Sequence, residues 1–268
     1  MTDIRKLLIV GLGNMSGAML DGWLAAGQDS MRFAALGPRE KTTPQGVAFH
    51  TDPGEAQGHD AVMLGFKPYH LGDVAPTLQG VITGDGVTIY SLLAGITLDQ
   101  LKTAFPSAKA HVRVMPNLAS RIGKSPIILA EAGLEAGERE AATALFDDLG
   151  QSVWLDDETH YDLCTALAGS GPGFVYRFID ALATAAIELG LDPESANSLS
   201  LAMVEGGASL AASSDLSPAE LADRVASPGG MTREGLNVLD HDQALHRLLV
   251  ETLRATRDRG AALSAGSN

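Results

Sequence analysis

The chain has 268 residues, 45% of them hydrophobic, with a formal net charge of −14, a length and composition that suit two ordinary domains with a sizeable core. That charge argues against nucleic acid, whose phosphates need clustered Lys and Arg, and against anionic membranes. The single cysteine, Cys164, excludes an intramolecular disulfide, points to a reducing compartment and, within the apolar run Leu163 to Leu167, reads as core rather than as a nucleophile.

At the amino end, Arg5-Lys6 precedes Leu7-Leu8-Ile9-Val10. This run is too short for a secretory signal and ends in a Gly-rich turn, so it reads as a strand. No window reaches the roughly 20 apolar residues that span a bilayer. The expectation is a soluble, cytoplasmic protein.

Directly after that strand comes Gly11-Leu12-Gly13-Asn14-Met15-Ser16-Gly17. Glycine, one residue, glycine, two residues and a small residue, between a strand and a helix, form the dinucleotide fingerprint. The first glycine turns the chain, the second admits the pyrophosphate to the backbone, and the small third lets helix meet strand. Ser16 takes the place usually held by Gly or Ala.

Short apolar runs then alternate with helical patterns, the mark of a parallel, doubly wound sheet with crossover helices. Predicted strands are Lys6 to Val10, Arg32 to Leu36, Ala61 to Leu64, Val87 to Ser91, His111 to Val114 and Pro126 to Ala130; predicted helices include Met15 to Ala26, Thr97 to Phe105 and Glu138 to Leu149. The second strand runs into Gly37-Pro38-Arg39-Glu40-Lys41, with no acid at its tip for a ribose diol. Arg39 and Lys41 suit a 2′-phosphate, so NADPH is the expected cofactor, and Glu40 and Asp52 keep NADH as the alternative. Two further turns, Gly65-Phe66-Lys67-Pro68 and Ser91-Leu92-Leu93-Ala94-Gly95, follow strands on the ligand edge of such a sheet.

The segment Gln151 to Asp157 is the expected boundary, dividing a dinucleotide-binding domain, residues 1–153, from an all-helical one, residues 154–268. Asp156-Asp157-Glu158 reads as a solvated helix start. Beyond it only helices are predicted: Glu158 to Ala168, Gly173 to Leu189, Glu194 to Ala212, Pro218 to Val225, Met231 to Leu239 and His241 to Leu263. On Gly173 to Leu189 the polar residues Arg177, Asp180, Thr184 and Glu188 form one narrow stripe. The apolar remainder needs more neighbours than a small domain supplies, and a subunit interface provides them.

Ser227-Pro228-Gly229-Gly230-Met231-Thr232 is a tight turn opening a helix, a place where backbone N–H groups converge on a small anion. The only side-chain hydroxyls there belong to Ser227 and Thr232. All six lysines, Lys6, Lys41, Lys67, Lys102, Lys109 and Lys124, precede residue 125, so the helical half has no lysine base. His241 and His246 are spaced wrongly to share a metal, and no metal site is expected.

Taken together, these segments resemble the pyrroline-5-carboxylate reductase family. The resemblance rests on the Gly11 to Ser16 loop, Phe66-Lys67-Pro68, Ala94-Gly95-Ile96-Thr97, Arg113-Val114-Met115-Pro116-Asn117, Ala166 to Val175, and above all Val225 to Thr232 with Gly235-Leu236 and Leu239-Asp240. It implies an amino-terminal Rossmann-type domain and an all-α dimerisation domain. It further implies active sites built where one subunit's cofactor domain meets its partner's helices, and homodimers that often assemble into decamers. The implied reaction is reduction of the cyclic imine 1-pyrroline-5-carboxylate to L-proline by NAD(P)H.

The implied cofactor contacts are Gly11, Leu12, Gly13, Asn14, Met15, Ser16, Gly65, Phe66, Lys67, Pro68, Leu92, Leu93 and Ala94, with Arg39 and Asp52 at the ribose. The substrate carboxylate would sit on Ser227, Gly229, Gly230, Met231 and Thr232, with Thr232 as the catalytic residue near the ring nitrogen and Arg224 alongside. Asp52, Gly37-Pro38-Arg39 and Arg224 depart from the usual family pattern and bear on coenzyme and substrate choice. Hydride addition to a protonated imine forms no oxyanion and needs no strong acid, which agrees with a turn offering only N–H groups and hydroxyls. Two alternatives remain open, a reductase of another cyclic imino acid such as piperideine carboxylate and a non-catalytic NADP-binding module.

Overall fold

Every residue of β1 (Leu7–Val10), β2 (Phe33–Leu36), β4 (Ala61–Leu64) and β5 (Thr88–Ser91) is buried, as expected of strands covered on both faces. In the computed structural model, which describes residues 4–44, 46–82 and 86–265, these join β3 (Ala48–His50), β6 (Ala110–Met115), β7 (Ser125–Ala132) and β8 (Gly150–Trp154) in one eight-stranded sheet of order β3-β2-β1-β4-β5-β6-β7-β8. Successive strands are laid down in one direction from β1 to β3 and in the other from β4 onward, so a switch point lies at the carboxyl ends of the parallel neighbours β1 and β4.

The strand period of two sorts the core into layers. Leu7, Ile9, Met63 and Tyr90 face one side and pack with Met19, Leu20 and Trp23 of α1 (Asn14–Ala25) and Leu145 and Phe146 of α4 (Ala136–Asp147). Trp23 stacks on Phe33 at 5.2 Å and its Nε1 donates to Leu145 O at 2.7 Å, so a buried indole keeps its partner. Leu8, Val10, Val62 and Ile89 face the other side, with Ala75 and Leu78 of α2 (Leu71–Leu78) and Leu101 of α3 (Leu98–Ala104).

The sheet departs from the expected all-parallel form at one place. β6 and β7 pair antiparallel, from His111 opposite Ala132 to Met115 opposite Ile128. Only the short segment 116–124, mostly a 3₁₀ turn at Leu118–Ile122, joins them, and a parallel return needs a longer crossover. α2 and the strands β3 and β8 were not anticipated. β3 is three residues long and half exposed, β8 alternates exposed and half-buried positions at the sheet edge, and α2 carries Pro76 in its interior.

The chain divides into two compact units, Met1–Ser170 with Thr256–Asn268 and Gly171–Ala255. Strands end at Trp154, close to the boundary expected at residue 153. The first unit nevertheless continues to Ser170, because Tyr161 of α5 (Tyr161–Cys164) is buried against Leu98, Ile128 and Ala130. α5 then widens into a π-helical turn at Thr165–Gly169, closed by Ser170 N–H donating to Thr165 O at 3.0 Å, where a continuous α-helix was expected. Residues 266–268 of the expected helical domain lie outside the described residues.

The second unit holds α6 (Gly171–Glu188), α7 (Pro193–Ala212), α8 (Pro218–Val225), α9 (Met231–Asp240) and the start of α10 (Ala244–Ala265). α6 ends in a Schellman cap: Gly190 at φ +103° lets its own N–H reach Ile187 O and that of Leu191 reach Ala186 O. Asp192 caps α7 by accepting from Ser195 N–H at 2.9 Å. Val175, Tyr176 and Phe178 of α6 and Leu199, Leu201 and Met203 of α7 are exposed on the isolated chain, while the buried residues of this helix pair are the small Ala183, Ala196 and Ser200. Apolar surface of this extent awaits a covering partner.

Candidate functional site

Gly11 leaves β1 at φ +90°, its N–H donating to Leu36 O at 2.8 Å. A Cβ on Gly11 would stand 2.8 Å from Phe66 N, and one on Gly65 would stand 2.7 Å from Gly11 O, so the two glycines let the loops after β1 and β4 touch backbone to backbone. Ser16, 1% exposed, is consumed inside the loop: its Oγ donates to Gly11 O at 2.7 Å and accepts from Gly13 N–H at 2.8 Å. The N–H groups of Asn14 and Met15, in the first turn of α1, have no intrahelical acceptor and form an anion-binding end.

A cavity of about 910 Å³ opens over this loop at the switch point, walled by residues 11–15, Gly37, Pro38, Arg39, Lys41, Phe49, Gly65, Phe66, Lys67, Leu92 and Leu118. Its described wall carries Arg39, Lys41 and Lys67 and no carboxylate. Lys41 Nζ donates to Leu12 O at 2.6 Å, tying the loop after β2 onto the glycine turn. At the tip of β2, where a diol-binding acid would stand, a Cβ on Gly37 would lie 3.3 Å from Phe49 Cζ. Aromatic bulk from β3 therefore takes the place of an acid. A glycine cradle, free helix-start amides and three cations fit a phosphate-bearing dinucleotide.

The structure gathers Gly11, Leu12, Gly13, Asn14, Met15, Arg39, Gly65, Phe66, Lys67 and Leu92 in this wall, with Ser16 just beneath. Four expected contacts lie elsewhere. Asp52 caps the 3₁₀ turn Pro53–Glu55, its Oδ1 accepting from Gly54 N–H at 2.8 Å. Pro68 opens the 3₁₀ turn Pro68–His70 and borders a separate cleft beside α2 and α3. Leu93 is buried in the core and offers only backbone, and Ala94 is exposed outside the wall. Phe49 and Leu118 complete the wall without having been anticipated, Phe49 because its strand is too short to leave a pattern.

In the second unit, Gly230 N–H donates to Ser227 O at 3.0 Å, Gly229 adopts φ +72°, and Gly230 starts α9 with no side-chain cap. A Cβ on Gly230 would press 3.1 Å from Ser227 O, so the tight turn favours glycine there. Met231 and Thr232 present first-turn N–H groups without intrahelical acceptors beside the Ser227 and Thr232 hydroxyls. Met231 and Arg224 are exposed, Arg224 in the last turn of α8. Arg233 was not anticipated: its Nη2 donates to Asp223 Oδ1 at 2.8 Å and to Ala226 O at 3.2 Å.

One sequence reading needs correction. Glu158 is no solvated helix start, because its Oε1 accepts from Arg113 Nη1 at 2.5 Å and both carboxylate oxygens lie 3.2 Å from Leu98 N. Asn117, in the same motif as Arg113, donates from Nδ2 to Ala168 O at 3.0 Å. Cys164 is half buried beside the Tyr161 cluster, and burial pushes its thiol up, away from nucleophilic thiolate.

A model of the pyrroline-5-carboxylate reductase dimerisation domain matches residues 158–263. The chain is 32% identical to pyrroline-5-carboxylate reductase 2 of Bacillus subtilis over 97% of its own length and 95% of that protein's. Against pyrroline-5-carboxylate reductase of Pseudomonas aeruginosa it is 31% identical over 97% of each. Among solved structures, a pyrroline-5-carboxylate reductase from Coxiella burnetii superposes with a TM-score of 0.91 at 27% identity, covering 98% of this chain and 99% of that one. Plasmodium falciparum pyrroline carboxylate reductase with NADP bound gives 0.83 at 25% identity over 97% and 98%. With its glycine cradle, its Pro-Gly-Gly turn and relatives of this identity along almost its whole length, the chain belongs to the pyrroline-5-carboxylate reductase family.

Proposed function

We propose that the protein is an NAD(P)H-dependent oxidoreductase that reduces 1-pyrroline-5-carboxylate to L-proline, the last step of proline biosynthesis. The observation that carries this reading is the pairing, in one chain of this family, of a glycine-lined cavity whose described wall carries no carboxylate with a Pro-Gly-Gly turn that opens α9 without a side-chain cap. The reduced nicotinamide supplies the hydride.

The N–H groups of Asn14 and Met15 hold the pyrophosphate, and Arg39 and Lys41 pair with a 2′-phosphate, so NADPH is preferred over NADH. In the second unit, the amides of Gly230, Met231 and Thr232 and the Ser227 hydroxyl hold the substrate carboxylate, and the Thr232 hydroxyl orients the ring nitrogen. The ring nitrogen enters already protonated and leaves as an amine, so these residues bind and orient without having to donate a strong-acid proton. The helical half, which has no lysine, is suited to that division of labour.

The protein acts as a homodimer, with the exposed apolar residues of α6 and α7 as the covered surface, and dimers assemble further into decamers in the cytoplasm. Residues 1–153 serve the dinucleotide and residues 154–268 serve substrate and assembly. Among the described residues, no helix is long and apolar enough to cross a membrane.

The test is the fall in reduced-nicotinamide absorbance when 1-pyrroline-5-carboxylate is added to the full-length protein with NADPH. Turnover of the five-membered imine in preference to the six-membered piperideine carboxylate is expected. NADPH that binds but is never oxidised would leave a non-catalytic module, and preference for the six-membered ring would reassign the substrate.

A further inference from the structure

Arg233 is out of place by the rules of helix electrostatics. It sits in the first turn of α9, where the helix presents its positive end and favours acids. Its guanidinium turns back instead, reaching the Asp223 carboxylate at 2.8 Å and the Ala226 carbonyl at 3.2 Å, ten and seven residues earlier. Asp223 is well exposed, whereas Arg233 is only 31% exposed at its side chain, and Ala226 between them is buried. The two bonds close a loop around Ser227-Pro228-Gly229-Gly230, the turn that carries the open amides. Gly229 and Gly230 are the most flexible residues available, and within the turn only the Pro228 ring and the Gly230 N–H to Ser227 O bond restrain them, which leaves the direction of the next amides to a further contact. Glycine permits the geometry and another contact must select it.

We infer that Arg233 is the positioning residue of the anion-binding turn, its bridge to Asp223 and Ala226 fixing where the Met231 and Thr232 amides point. This rests on the proposed docking of an imino-acid carboxylate at that turn. The bridge also pairs the cation with the Asp223 carboxylate, so the guanidinium is engaged in shaping the turn rather than offered to the substrate anion. Arg224, one residue from Asp223 and exposed, is the cation left for the solvent side.

Steady-state kinetics on the full-length protein test the bridge, using Arg233→Ala, Arg233→Lys, Asp223→Asn and the charge exchange D223R/R233D. Two imines are compared, 1-pyrroline-5-carboxylate and 1-pyrroline, which lacks the carboxylate. Arg233→Ala and Asp223→Asn should each raise KM for the carboxylated imine about tenfold and lower its preference over 1-pyrroline by a similar factor, while KM for NADPH stays within about twofold. The charge exchange should recover most of that loss, and Arg233→Lys, with one donor group in place of a fork, should fall between. Equal losses on both imines, or no change in either, would overturn the inference. Should Arg233→Ala fail to fold, Asp223→Asn and Arg233→Lys carry the same comparison. Wild-type protein that oxidises no NADPH with either imine would instead refute the proposed reaction.

Discussion

The Arg113 guanidinium lies 3.6 Å from the centre of the Tyr161 ring while its Nη1 holds Glu158 Oε1 at 2.5 Å. One cation, 4% exposed, thereby ties the middle of β6 to the first residues beyond β8 and, through Glu158, to Leu98 at the start of α3. Burial pushes the Tyr161 phenol well above its ordinary value, against the pull of Arg113, so Tyr161 serves as a neutral ring under the cation. Arg113→Met should cost about 2–4 kcal/mol in urea unfolding, since it strands the Glu158 carboxylate and removes the cation from the ring. Full retention of stability would show that the clamp is dispensable.

Gly11→Ala tests the cradle. A Cβ at φ +90° and 2.8 Å from Phe66 N has to push apart the loops after β1 and β4, which are proposed to hold the dinucleotide. A strain of about 1–3 kcal/mol corresponds to a rise of roughly 5- to 150-fold in the NADPH Kd, measurable by quenching of nicotinamide fluorescence. An unchanged Kd would mean that the loop does not approach the pyrophosphate.

Thr232→Ala removes the hydroxyl assigned to the ring nitrogen and leaves the first-turn amides of α9 in place. The expected loss in kcat/KM for 1-pyrroline-5-carboxylate is about 10- to 1000-fold, the range for one positioned hydrogen bond. Wild-type kinetics in this variant would remove Thr232 from the catalytic role.

Coenzyme choice is proposed to rest on Arg39 and Lys41, both in the cavity wall. The double substitution Arg39→Ala with Lys41→Ala should cut the NADPH to NADH ratio of kcat/KM by about 10- to 100-fold, chiefly through weaker NADPH binding, because charge-assisted bonds to the 2′-phosphate are lost. Lys41 also bonds Leu12 O, so some loss with NADH accompanies it. Parallel falls with both coenzymes would place the 2′-phosphate contact elsewhere.

Acid should weaken the first unit through His111. Burial is the main cause that holds this imidazole below its ordinary value of 6.5, opposed by its bond to Phe105 O at 3.0 Å and helped by Lys102. The folded state keeps the ring neutral while the unfolded chain takes up a proton. Stability is therefore complete above 6.5 and is lost as pH falls below it towards the folded value. His59 is shifted the same way, again mainly by burial. Thermal unfolding of His111→Gln should show a shallower drop in Tm than wild type between about pH 7 and pH 5, whereas parallel curves would exonerate His111.

Elements whose cause is local could be read without the structure. β1 is four apolar residues because both its faces are covered, and the Gly11 loop follows it because close backbone approach excludes side chains. β3 and β8 escaped because β3 is only three residues long and the residues of β8, Gly150-Gln151-Ser152-Val153-Trp154, alternate in exposure without alternating in polarity. At the cavity, the glycines and Arg39 were legible and Phe49 was not. That Asp52 caps its own turn was likewise not legible, because the bond depends on the local backbone shape.

The amino-acid sequence by itself determined the class of fold, the glycine loop after β1, the Pro-Gly-Gly turn that opens a helix and the absence of a helical-half lysine, because each is written in adjacent residues or in composition. Only the tertiary structure decided what the charged side chains meet. Arg113 finds Glu158 across 45 residues, Lys41 finds Leu12 across 29, and Arg233 doubles back ten residues to Asp223. Such pairs depend on where whole elements come to rest, and a long flexible side chain carries no periodicity that announces its partner.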